Sequence, residues 1–389
     1  MKHNFDSITD RNNSNSVKWD YKPGVIPLWV ADMDFKAAPC ILQALQRKLD
    51  HGVFGYTNVP DTYYQAVIDW FGRRHGWAIS KDSIIPISGI VPATSIAIKA
   101  LTEPGDKVVM HTPAYNCFFS NIRNVGCELV PSPLVRKDGA FTMNFDQIAG
   151  YCADPAVKVF LLCNPHNPSG RLWTREELIK LGNICLENGV KVISDEIHCD
   201  ICPPGSGYVP FASISREFAE NSISFCSPTK PFNLAGIEIA NIVSANAGFR
   251  QKMDRVINIW EHCDVNQFGV VALEAAYSSE GEEWLDQMNS YVHDNFIYMR
   301  ERLQKEFPEL VIAELEATYL SWVDCSGLGL KVSIKEMTES LIANEKVWIN
   351  PGGMYGDENY VRINLACPRA TLAEGLDRVC SGIRRLLSD

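Results

Sequence analysis

Residues 226–236 read C-S-P-T-K-P-F-N-L-A-G, and Lys230 sits just after the apolar-leaning run S-I-S-F-C. A loop lysine is ordinarily solvated. One kept from water loses its proton well below the usual value of about 10.4 and becomes a nucleophile toward carbonyl carbon. Three other segments hold groups that could serve such an amine. C-N-P-H-N-P-S-G carries Asn164 and Asn167, S-D-E-I-H carries Asp195 and His198, and G-I-V-P-A opens a helical stretch at Ile90 and Val91. Each has an ordinary alternative. Asp195 could cap a turn, the asparagines could shape one among their prolines, and a lone histidine is more often structural. The glycine at 89 belongs to neither phosphate-loop nor dinucleotide spacing.

The elements that must position these residues decide between the alternatives. From about residue 83 to 245, short β-branched runs alternate with amphipathic stretches. The runs lie at 83–88, 107–111, 127–131, 158–163, 190–194 and 222–226. Several are apolar on both faces, as in strands covered by helices on each side. Residues 174–188 predict a helix, opened by Thr174 and Glu177 in capping-box spacing and ended before Gly189. The alternation predicts an α/β fold with a mostly parallel sheet. In such sheets ligands bind at the carboxyl ends of strands. A helix start follows 83–88, the amide-rich turn follows 158–163, Asp195 follows 190–194, and Lys230 follows 222–226. Together they suit pyridoxal phosphate. The lysine would form the Schiff base, the carboxylate would hold the pyridine nitrogen protonated, the amide would meet the phenolate oxygen, and helix N–H groups would take the phosphate.

From 291 onward a long polar helix (291–306), two or three strands and a final helix predict a smaller α+β domain. The expected organisation is an arm over 1–48 joining that domain, a large cofactor domain over 49–288, and the small domain over 289–389.

The chain resembles fold-type I pyridoxal-phosphate enzymes of the aminotransferase class I/II superfamily, in particular the MalY/PatB-type C–S β-lyases. The resemblance runs the whole length. It is carried by S-V-K-W-D (16–20), P-L-W-V-A-D-M-D-F (27–35), H-G-V-F-G-Y-T (51–57), T-E-P-G-D-K-V (102–108), C-N-P-H-N-P-S-G-R (163–171), S-D-E-I-H-C-D (194–200), T-K-P-F-N-L-A-G (229–236) and R-I-N-L-A-C-P-R (362–369). It implies an aspartate aminotransferase-like fold with Lys230 as Schiff-base lysine and as the base for the Cα proton. It implies Asp195 at the pyridine nitrogen, Asn167 and His198 at the phenolate oxygen, and Tyr115 stacked on the ring. The phosphate falls to the backbone of Ile90 and Val91, to Ser227, and to Tyr56 of a neighbouring subunit, so the active unit is a homodimer. Arg362, with the backbone at Ala31, holds the substrate α-carboxylate. The implied reaction is cystathionine β-lyase chemistry, in which L-cystathionine gives homocysteine, pyruvate and ammonia.

Two departures stand out. Many aminotransferases carry an arginine eight residues after the lysine, where this chain has Glu238. A second arginine for a distal carboxylate is also missing, which disfavours dicarboxylic-acid transamination. The rival enzyme is an aminotransferase on the same scaffold. The rival of another class is a regulatory protein acting by protein–protein contact.

Bulk properties agree with an enzyme of small molecules. The 389 residues are 46% hydrophobic and 21% charged, with a formal net charge of −11, which disfavours nucleic acid or an anionic membrane as the main partner. The N-terminal sequence has no apolar signal region, and no run is long enough to span a bilayer. Thirteen scattered cysteines imply reduced thiols and a cytoplasmic location. Cys199 and Cys202 have C-x-x-C spacing but no second pair, and they run into P-P-G-S-G (203–207), so neither a metal nor a redox role is expected.

Overall fold

The computed structural model describes residues 3–137, 140–203 and 206–388; Pro204 and Gly205 of the expected loop lie outside them. Its centre is a seven-stranded sheet. The strands are β1 Ile84–Ile87, β2 Lys107–Thr112, β3 Glu128–Pro133, β4 Val157–Cys163, β5 Lys191–Asp195, β6 Ser222–Cys226 and β7 Ala240–Val243. Their spatial order is β1-β7-β6-β5-β4-β2-β3. Only β7 runs against the rest, pairing antiparallel with both β1 and β6. The other six therefore end on one edge, where the sequence places the chemistry.

Period-two alternation explains why the sheet is buried on both sides. Val108, Met110, Val159, Leu161, Ile193 and Ile223 join one core cluster. Val109, Phe160, Leu162 and Val192 face the other way into a second. Each large apolar side chain so buried contributes roughly 1.5–3 kcal/mol. Helix α1, Ile90–Leu101, packs on the first face, and α2, Arg175–Glu187, on the second. The capping box on α2 forms, with Thr174 and Glu177 exchanging backbone contacts. Gly182 allows close approach, because a Cβ there would lie 2.3 Å from the Phe218 ring.

The remaining chain forms a four-stranded antiparallel sheet. Its strands are β8 Val311–Ile312, β9 Leu320–Asp324, β10 Asn350–Pro351 and β11 Tyr360–Asn364, in the order β8-β9-β11-β10. The N-terminal arm joins it, since Ile26–Pro27 pairs parallel with Val347–Trp348 and Leu28 exchanges backbone bonds with Trp348 and Asn364. The long polar helix expected over 291–306 is longer. As α3 it spans Ser279–Glu306, so the boundary expected at 288/289 falls inside an unbroken helix. A final helix, α4, covers Arg369–Ser388. Among the described residues no helix is long and apolar enough to cross a membrane, and all thirteen cysteines are free thiols.

Candidate active site

The strand ends meet in a cavity of about 640 Å³. Of the expected site residues, Lys230, Asp195, Asn167, His198, Tyr115, Ile90, Val91, Arg362 and Ala31 line it. A larger cavity, about 1000 Å³, lies beside His75, Asp200 and Asn289 and contains none of them. The donor set, not the size, marks the smaller one as the site.

Lys230 points its ammonium at the Ala31 carbonyl, 2.7 Å away. Enclosure pulls its pKa down to about 8, with the Asp32 carboxylate opposing and the Arg362 charge assisting. Asp195, at the end of β5, is buried, and that burial pushes its carboxyl up to about 7. The Ile197 N–H, 3.1 Å from Oδ1, and the Lys230 charge oppose the rise. His198 is buried and held neutral. Desolvation first, then the charges of Lys230 and Arg362, take it down to about 3, and its Nδ1 has no hydrogen-bond partner. Burial raises the Tyr115 hydroxyl far above its ordinary value.

Arg362, on β11, is buried without a salt bridge among the described residues. Nη1 donates to Asn167 Oδ1 at 3.2 Å, Nη2 donates to the Trp29 carbonyl at 3.1 Å, and the guanidinium lies 4.4 Å over the Tyr355 ring. Its Nε is unpartnered. A buried cation with only neutral partners and a free donor is prepared for an anion.

At the opposite end, α1 begins with Gly89 as N-cap and no side-chain cap. The first-turn N–H groups of Ile90 and Val91 thus face the cavity at the positive end of a helix dipole. Ser88 and His262 line the same end, with Ser88 Oγ 2.6 Å from His262 Nε2. Glu238 also lines the cavity, exposed and at φ 55.

Two expected residues stand apart. Ser227 is buried outside the cavity lining, and its hydroxyl donates to the Ile239 carbonyl at 2.6 Å. Thr229, two residues on, lines the cavity instead. Tyr56 is 99% exposed and meets no site residue of its own chain. Asn164 lies outside the lining, donating to the Val209 carbonyl at 3.0 Å. Cys199 and Cys202 also lie away from this site; with His75 and Asp200, Cys199 falls in a compact group that could offer metal ligands, but the Arg74 guanidinium, 3.7 Å from Asp200, opposes a cation there.

The structure adds a wall that residue types alone do not disclose. Every carbonyl from Trp29 to Met33 accepts a side-chain hydrogen bond. Asn350 and Arg362 take Trp29, Asn364 takes Val30, Lys230 takes Ala31, Asn364 and Lys18 take Asp32, and Asn233 and Arg11 take Met33. Beneath it Asp34 is buried between Lys18 Nζ at 2.8 Å, Arg11 at 3.0 Å and the Trp19 indole N–H at 2.8 Å. A buried carboxylate with all of these partners is tolerated where an unpaired one would not be. The motifs S-V-K-W-D and W-V-A-D-M-D-F are thus the two halves of one polar knot that fixes the strip.

The family model for aminotransferase class I and II matches residues 23–379. The chain is 41% identical over 385 residues to cystathionine beta-lyase PatB of Bacillus subtilis, covering 97% of this chain and 98% of that protein. Cystalysin from Treponema denticola, solved with pyridoxal 5'-phosphate, superposes with a TM-score of 0.95 at 34% identity, covering 99% of this chain and 100% of that one. The pyridoxal-phosphate-bound C–S lyase of Staphylococcus hominis gives 0.91 at 34% identity, with 98% of each chain covered. The expected fold-type I architecture is therefore the one found, and the chain belongs to the aminotransferase class I and II family.

Proposed function

We propose that the chain is a pyridoxal-phosphate-dependent carbon–sulfur β-lyase that cleaves the Cβ–S bond of cysteine thioethers such as L-cystathionine, giving homocysteine, pyruvate and ammonia. The cavity suits the cofactor on its own terms. It offers an enclosed amine of lowered pKa, a buried carboxyl, an unpartnered imidazole nitrogen and an uncapped helix start on one sheet edge. The cofactor, when bound, supplies an electron sink for charge developing at the substrate Cα. Asp195 would hold the ring nitrogen, and that cationic partner would return its carboxyl to the ionised form. Asn167 and His198 would meet the phenolate oxygen, Tyr115 the ring face, and Ile90 and Val91 the phosphate.

Arg362 grips the substrate carboxylate with two parallel N–H donors, which sets Cα toward Lys230. The neutral Lys230 amine takes the Cα proton, a task its lowered pKa suits near neutral pH. Departure of the β-thiolate then needs no positive group at the far end of the substrate.

The observation that carries the lyase reading is the far wall. Among the described lining residues the only lysine or arginine side chains are Lys230 and Arg362; Trp29 and Tyr355 touch Arg362, and Cys117 and Met354 belong to the same lining. That wall suits a thioether better than a second carboxylate. A homodimer fits the exposed loop bearing Val53, Phe54 and Tyr56, where Tyr56 would complete the partner's site. The thirteen free thiols fit a reducing, cytoplasmic setting.

The test combines purified protein, pyridoxal phosphate and L-cystathionine. Catalytic release of pyruvate, ammonia and free thiol, absent in Lys230→Ala, is the expected result. Amino-group exchange with a keto acid and no ammonia would replace the lyase with an aminotransferase, and the absence of a cofactor absorbance band would overturn both.

A further inference from the structure

The phosphate end of the cavity presents a problem of charge. A phosphate ester brings close to two negative charges, yet the position eight residues after Lys230 carries Glu238, which lines the same cavity. Ser227 is turned away onto the Ile239 carbonyl. Lys230 and Arg362 are assigned to aldehyde and carboxylate. The uncapped helix start supplies N–H groups and only a fractional charge.

We infer that His262 and Ser88 form the side-chain part of the phosphate subsite, with His262 in the role that an arginine fills elsewhere; this rests on the pyridoxal-phosphate reading of the cavity. His262 lies just beyond the helix Ala247–Ile259, its backbone N–H fixed on the Ile257 carbonyl at 3.0 Å. Its Nε2 meets Ser88 Oγ at 2.6 Å, and both residues line the cavity next to Gly89, Ile90 and Val91. With the proton on Nε2, the imidazole donates to the serine oxygen. The serine O–H is then free to donate to a phosphate oxygen beside the helix N–H groups. The imidazole thereby holds the serine in the orientation that donates to the phosphate.

Binding to the cofactor-free protein tests this without turnover. Pyridoxal phosphate and pyridoxal, which lacks the phosphate, are titrated against wild type, His262→Gln, His262→Arg and Ser88→Ala, following quenching of tryptophan fluorescence. His262→Gln and Ser88→Ala are expected to weaken pyridoxal phosphate about tenfold to a hundredfold, the loss for a hydrogen bond to a charged group. Pyridoxal affinity stays within about twofold, since only the phosphate contact is touched, and His262→Arg keeps pyridoxal phosphate binding near wild type. Equal weakening of both ligands, or no change for either, overturns the assignment. A wild type that does not prefer pyridoxal phosphate over pyridoxal instead overturns the cofactor reading beneath it.

Discussion

Arg362 gives the sharpest test, because activity and stability are predicted to move in opposite directions. Replacing it with lysine keeps a charge but removes the planar fork, so one of two charge-assisted bonds to a substrate carboxylate is lost. Such a bond is worth about 1.5–3 kcal/mol, and every 1.4 kcal/mol or so is tenfold in rate. Arg362→Lys is therefore expected to lower kcat/KM about tenfold to a hundredfold. Arg362→Met loses both bonds and is expected to lower it at least about a thousandfold. Stability should not follow. The guanidinium is buried against Asn167, the Trp29 carbonyl and the Tyr355 ring, with no carboxylate in salt-bridge reach among the described residues and with Nε unpartnered. Exchange of a buried charge for an apolar side chain of similar volume is often neutral or stabilising, by about 1–4 kcal/mol. The melting temperature of cofactor-free Arg362→Met, at fixed protein concentration, is expected to equal or exceed that of wild type. A melting temperature several degrees lower, with activity reduced only in proportion to the folded fraction, would refute the clamp and make Arg362 structural.

Two further outcomes follow from the site. Capture of pyridoxal by the cofactor-free protein needs the neutral Lys230 amine, whose pKa lies at about 8; the rate should rise with pH and level off above that value. A rate still climbing tenfold per unit toward pH 10 would mean an ordinary solvated lysine. Subunit sharing predicts complementation. Tyr56→Ala and Lys230→Ala proteins are each inactive, but unfolding and refolding an equal mixture makes hybrids with one intact site, restoring about a quarter of wild-type activity for random pairing. No recovery, with hybrids shown to form, would remove Tyr56 from the partner's site.

What could be read in the sequence was local. Asp195 follows its apolar run directly and Lys230 and Asn167 follow theirs after three residues, so a strand boundary places each of them at the active edge. Thr174 and Glu177 announce a helix start through a contact three residues long. Where local pattern is weak, the sequence discloses less. Strand β7 has only four residues, too short a run to stand out, and the first half of α3 reads S-E-G-E-E-W-L-D-Q-M-N-S, whose glycine and polar residues hide its continuity. Gly281 is required there, since a Cβ would lie 2.0 Å from the Ala276 carbonyl oxygen. The family resemblance implies Ser227 for the phosphate, whereas here the Ile239 carbonyl at the edge of the adjoining strand accepts from its hydroxyl. Ser88 with His262 and Asn167 with Arg362 are pairs separated by 174 and 195 residues. Only packing brings them together, and no period in a sequence encodes that.

The strip from Trp29 to Met33 bears on how the chain is made. It leaves the ribosome early, while Asn350, Arg362 and Asn364, which grip its carbonyls, are added 321 to 334 residues later. A nascent chain that has reached Val243 already contains the whole central sheet and the cofactor lysine. It still has no carboxylate clamp, and although Lys18, Arg11, Lys230 and Asn233 are present for Ala31, Asp32 and Met33, the carbonyls of Trp29 and Val30 wait without their partners. Closing so long a loop is among the slower events in folding. Substrate capture is thus withheld until synthesis is nearly complete, and a product truncated before Arg362 retains the lysine without the means to orient what it binds.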